Sequence, residues 1–132
     1  MDYKMDNNVD TRKADNTIIN HKKELDKVDE QIDIQRNKMQ ELNDMQESVN
    51  EIVDNINQCI ELLSKSIKGP TTENMFNDMY NTNKNFGSNV STNIENNQLE
   101  VRKRLNELYK EKDNILEENK NNSQKEEYKR YE

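Results

Sequence analysis

The stretch Ile67-Lys68-Gly69-Pro70-Thr71-Thr72-Glu73 decides how this chain folds. A glycine just past an apolar helical run suits a left-handed C-terminal cap. The proline after it cannot continue a helix, because it lacks the N–H and its ring clashes with the preceding turn. Thr71 or Thr72 can cap a new helix, with Glu73 in its first turn at the positive end of the helix dipole. A stop and a start within so few residues predict a tight reversal between two antiparallel helices.

Working upstream from the turn, apolar residues recur at the spacing of a helical seam. One row falls at Ile18, Leu25, Ile32, Met39, Gln46, Val53, Ile60 and Ile67, and the other at His21, Val28, Gln35, Leu42, Val49, Ile56 and Leu63. All but His21, Gln35 and Gln46 are apolar, and the pattern persists well past the three or four heptads that identify a coiled-coil surface. A helix over residues 17–67 follows, on the order of 75 Å long at about 1.5 Å per residue. Residues 1–16 carry few apolar side chains and read as a flexible tail.

Downstream, Phe76, Met79, Tyr80, Val90, Ile94, Val101, Leu105, Leu108, Ile115 and Leu116 recur at steps of three and four, giving a second helix over 73–120 after a turn at 68–72. Asn83, Asn97 and Gln98 interrupt this seam. Gly87 costs about 1 kcal/mol relative to alanine in a helix interior, so a kink or short unwinding is expected at 86–89. Residues 121–132 read as a C-terminal tail. The fold class is therefore all-α: a long, coiled-coil-like antiparallel hairpin that completes a bundle with a partner or a second copy.

Composition supports that class and removes others. Of the 132 residues, 36% are charged and 30% hydrophobic, with two glycines and one proline, and the mean hydropathy is −1.36. Such a chain cannot wrap a broad core, but long helices need only a narrow apolar stripe. A net charge of −7 opposes binding to nucleic acid, which is held by neutralising phosphates with Lys and Arg. It also opposes adsorption to anionic membranes. No run is apolar enough for membrane insertion or for a cleaved leader at Met1–Asp6. The expected location is the cytoplasm, or outside the cell by a route that needs no cleaved signal.

Catalytic chemistry is not expected, nor a cofactor or a metal. His21 is the one histidine and Cys59 the one thiol, and about 57 Å of helix separates them, too far for a dyad. His21 reads as a polar seam residue and Cys59, beside Ile60, as a small buried hydrophobe. No Asp-x-Asp-x-Asp-Gly or His-x-x-x-His grouping offers metal spacing. A two-helix pair leaves about half of each seam residue open to water. Leu42, Val49, Ile56, Leu63, Phe76, Tyr80, Phe86, Val90, Ile94 and Val101 are accordingly the candidate partner-binding residues.

The turn and the helix after it resemble the WXG superfamily, small helical hairpins exported by bacterial type VII secretion. The matching residues are Ile67-Lys68-Gly69, then Phe76 and Tyr80, with Ile67 where the family has tryptophan. The length of the helices is closer to the helical proteins that accompany LXG-type toxins. That resemblance implies a chaperone-like targeting partner for the toxin's N-terminal helical domain, supporting its export, alongside a second small helical protein. It also implies that Ile67, Gly69 and Pro70 form the family turn, that Phe76, Tyr80 and Phe86 help knit the bundle, and that a Tyr-x-x-x-acid export signal follows. Tyr109 with Asp113 and Tyr128 with Glu132 both fit. The alternative is a homodimeric structural coiled coil with no role in secretion.

Overall fold

The computed structural model describes the backbone of Tyr3–Tyr131 and the side chains of residues 12, 13 and 15–122. Two helices, α1 (Tyr3–Ser66, 64 residues) and α2 (Pro70–Tyr131, 62 residues), pack against each other as a hairpin, with no strand among the described residues. Both helices outrun their apolar seams, since α1 includes residues 3–16 and α2 residues 121–131, where the sequence alone suggests tails. Neither segment contains glycine or proline. Once a helix is nucleated, each added residue gains a backbone hydrogen bond, so polar residues can extend it without an apolar stripe.

The reversal is tighter than the sequence suggests, with only Ile67, Lys68 and Gly69 outside the helices. The Ile67 N–H donates to the Leu63 carbonyl (3.0 Å) and the Glu73 N–H to the Gly69 carbonyl (3.2 Å). Gly69 is therefore the N-cap of α2, and Pro70 takes the first helical position, where a missing N–H costs nothing. No glycine has positive φ, which corrects the expectation of a left-handed cap closing α1. Neither threonine is the cap: the Thr72 hydroxyl lies inside α2 and donates to the Gly69 carbonyl (2.7 Å).

Two compact units make up the hairpin, a terminal unit of Met1–Arg36 with Lys103–Glu132 and a turn unit of Asn37–Arg102. In the terminal unit Val28, Ile32, Leu108 and Ile115 form a buried cluster flanked by Leu25 and Leu105. Leu108, only 1% exposed, is its centre, and full burial of such a side chain contributes about 1.5–3 kcal/mol. Polar pairs edge the cluster. Lys112 Nζ meets Asp29 Oδ1 at 2.8 Å, the His21 ring donates to the Asn119 side-chain oxygen, and Arg36 donates to the Tyr109 hydroxyl. Ile18 and Leu116, both seam positions by spacing, stay exposed.

The turn unit is built differently. Val49, Ile60, Phe76, Ile94 and Val101 are buried, and so is Asn83, 5% exposed. The Asn83 amide donates to the Val53 carbonyl (3.0 Å) and to Asn57 Oδ1 (2.9 Å). Gln46 donates to Ser91 Oγ (2.9 Å) and Gln98 to Asn43 Oδ1 (3.0 Å). Helix α2 runs unbroken through residues 83–98, so the chain does not unwind at 86–89. Gly87 instead allows close approach of the helices, since a Cβ there would stand 2.9 Å from Val53 Cγ2.

Candidate protein-docking surface

The seam of α1 in the turn unit keeps its heptad through Met39, Leu42, Gln46, Val49 and Val53, then steps to Asn57, Ile60 and Ser64. A straight helix drifts by about 20° per heptad against a 3.5-residue repeat, so a strict seven-residue seam cannot stay centred unless the helices supercoil. Two features fix the change of step at Val53: Gly87 admits Val53 to the middle of the interface, and Asn83 recruits Asn57 in place of its apolar neighbour Ile56. Ile56 and Leu63 are left on the surface.

The displaced residues gather on one side. Ile52 and Ile56 of α1 and Met75, Met79 and Phe86 of α2 are exposed large hydrophobics. Together with Ile60 and Thr82 they line an open groove of about 620 Å³, in which Asp78 is the one charged lining residue. Along α1 the row Ile52, Ile56, Cys59, Leu63 steps by four, three and four, and along α2 the row Met75, Met79, Thr82, Phe86 does the same. Residues at these steps share one helical face. Cys59 is exposed within its row, so it is not the buried hydrophobe its neighbour Ile60 suggests.

The other side of the turn unit carries more polar and charged side chains, although apolar atoms still make up much of its surface. A cleft of about 680 Å³ there is lined chiefly by polar residues, among them Asn50, Asp54, Asn57, Lys84 and Ser91. Nearer the reversal, Ser64, Lys68, Glu73 and Asn77 line a smaller one with Phe76 and Tyr80. The two sides thus differ in charge, with Asp54, Lys84 and Glu73 on this one and Asp78 alone at the apolar groove.

The seam-derived partner-binding residues divide accordingly. Val49, Phe76, Ile94 and Val101 are buried in the hairpin itself, and Leu42, Tyr80 and Val90 are half-buried. Ile56, Leu63 and Phe86 are free to meet a partner, Phe86 being 47% exposed. The sequence reading misses Ile52 and Met75 altogether and places Met79 in the seam of the second helix without counting it among the partner-binding residues. Their signal is a second row lying beside the main one, which widens the apolar face beyond a coiled-coil stripe.

Of the two export-signal candidates, Tyr109 and Asp113 are both exposed. The Tyr109 hydroxyl accepts a hydrogen bond from Arg36, whose guanidinium carbon lies 5.6 Å from the ring centroid. Tyr128 and Glu132 lie outside the described side chains. Among the described residues no group of three or more His, Cys, Asp or Glu could hold a metal ion, and no helix is long and apolar enough to cross a membrane. No protein-family model, curated protein or solved structure matches the chain.

Proposed function

We propose that this chain is a helical partner protein that docks on the N-terminal helical domain of an LXG-type toxin and supports its export by type VII secretion. The carrying observation is the one-sided apolar groove beside the turn, where Ile52, Ile56, Met75, Met79 and Phe86 face solvent together. A partner helix laid there would remove these side chains from water and complete a helical bundle. The toxin assignment draws its support from the turn sequence Ile67-Lys68-Gly69 followed by Phe76 and Tyr80, and from helices longer than those of the small WXG hairpins. In this reading Tyr109 and Asp113 belong to the export signal, with Arg36 orienting the ring, and toxicity resides in the other chain.

Co-expression with an LXG helical domain, followed by size-exclusion chromatography, tests the proposal. A stable complex is expected with the wild-type chain, and Phe86→Lys should abolish it while leaving the helical circular dichroism unchanged. A wild-type chain that elutes apart from the domain, as a stable homodimer, would make the structural coiled coil the better reading.

A further inference from the structure

We propose that the apolar side of the turn unit seats a single amphipathic helix of a different protein, in contact over about three turns and basic where it passes Asp78. This rests on reading the chain as a helical partner protein, and it specifies what that partner presents.

The rows on α1 and α2 each run from a first residue to an eleventh beyond it, about 16 Å of helix. The groove of about 620 Å³ is lined by Ile52 and Ile56 of the first row and by all four residues of the second, with Cys59 and Leu63 extending the α1 face outside its lining. A helix in that groove meets the rows with apolar residues of its own at the same steps of four and three. Met75 and Met79 give one wall side chains that adapt to the shape of the occupant.

Charge selects the occupant. Between Met45 and Ser66 the charged residues of α1 are Glu47, Glu51, Asp54, Glu61 and Lys65, and helical spacing turns all of them away from the row of Ile52 and Ile56. On α2, Glu73 and Lys84 line the polar side, leaving Asp78 alone at the groove. A carboxylate covered by a docked helix loses water and needs a cation in return. A second copy meeting this one groove to groove supplies none, because its matching face carries the same aspartate and no Lys or Arg. Two copies would also each bring a net charge of −7, which opposes their approach. The occupant is therefore another chain, with Lys or Arg flanking its apolar residues.

The probes are two synthetic helical peptides with leucine at i, i+4, i+7 and i+11, one flanked by lysines and the other by glutamates. Binding is read by fluorescence anisotropy and by the alkylation rate of Cys59, an exposed thiol in the α1 row. The lysine peptide should bind about fivefold tighter than the glutamate peptide, the size of a favourable solvent-edge ion pair, and should slow alkylation. Met79→Ser should remove binding of both, with unchanged circular dichroism because Met79 is 40% exposed, and Asp78→Asn should shrink the preference for the lysine peptide by more than Asp54→Asn on the polar side does. Equal binding of the peptides to the wild-type chain would overturn the proposal, as would binding or Cys59 protection that survives Met79→Ser. A wild-type dimer in sedimentation velocity that Met79→Ser converts to monomer would give the groove to a second copy instead. The toxin reading fails separately. A chain that binds the lysine peptide and no LXG domain keeps the groove and loses the toxin, and an LXG domain bound equally by Met79→Ser does the reverse.

Discussion

Gly87 sits inside a helix, a position where alanine would ordinarily be the better residue by about 1 kcal/mol. Its value is the space it leaves, since a methyl group there would meet Val53 Cγ2 at 2.9 Å. Valine in a helix has one strongly preferred χ1 rotamer, so Val53 cannot swing aside cheaply. Gly87→Ala is therefore expected to destabilise the chain, with an overpacking cost of about 1–3 kcal/mol outweighing the propensity gain. Val53→Ala should cost less in the Gly87→Ala background than in the wild type, a coupling of about 1 kcal/mol measurable by a double-mutant cycle in urea unfolding. Additive effects would mean that the helices do not meet at this pair. Gln46 shows the reverse balance. Its amide nitrogen is used twice, by Asn50 (3.2 Å) and Ser91 (2.9 Å), while its Oε1 is buried without a partner, a cost typically of about 1–3 kcal/mol.

At the scale of the elements, the reversal depends on proline more than on glycine. Gly69 has ordinary negative φ, and a Cβ there would meet only Thr72 Oγ1, at 3.6 Å. Gly69→Ala should therefore keep the hairpin, at a cost of no more than about 1 kcal/mol for a poorer N-cap. Pro70 is what prevents α1 from running on, since in a continuous helix its ring would collide with the carbonyl of Ser66. Replacing both residues with alanine should yield swapped dimers in which the two helices join, seen as a shorter elution volume and a doubled mass in light scattering. A double variant that stays a monomeric hairpin would show that the seam alone enforces the reversal. Helix type and the place of the turn were legible in sequence because a seven-residue apolar repeat and a Gly-Pro pair are local signals. The change of step at Val53 was not, because it depends on residues far along the chain, Gly87 and Asn83, that set which α1 side chains come inside. For the same reason the groove was only half legible. Ile56, Leu63 and Phe86 stand out as apolar residues, but Ile56 and Leu63 are exposed because Asn57 and Ser64 take the inner positions of α1, and Phe86 because Gly87 beside it faces Val53.

Across the whole molecule, stability and binding draw on different residues. The terminal unit has an all-aliphatic cluster, with Leu108 at 1% exposure. The turn unit combines buried hydrophobics with a buried asparagine and leaves Ile52, Ile56, Met75, Met79 and Phe86 in water. Net stability is a small difference between large opposing contributions, so losing one well-packed leucine can matter more than losing several half-exposed residues. Leu108→Ala should cost about 2–5 kcal/mol by removing buried methyls and leaving a cavity. Ile56→Ser should cost less, about 1–2 kcal/mol, because Ile56 is already 40% exposed in the free chain and its partial burial contributes in proportion. Binding should rank them in the opposite order. At a temperature low enough to keep Leu108→Ala folded, that variant should hold a partner as the wild type does, whereas Ile56→Ser should not. Urea unfolding of the free chains, paired with co-purification of the partner, separates the two effects. If Ile56→Ser unfolded as readily as Leu108→Ala, the apolar side would be part of the core and not a surface kept open for another protein.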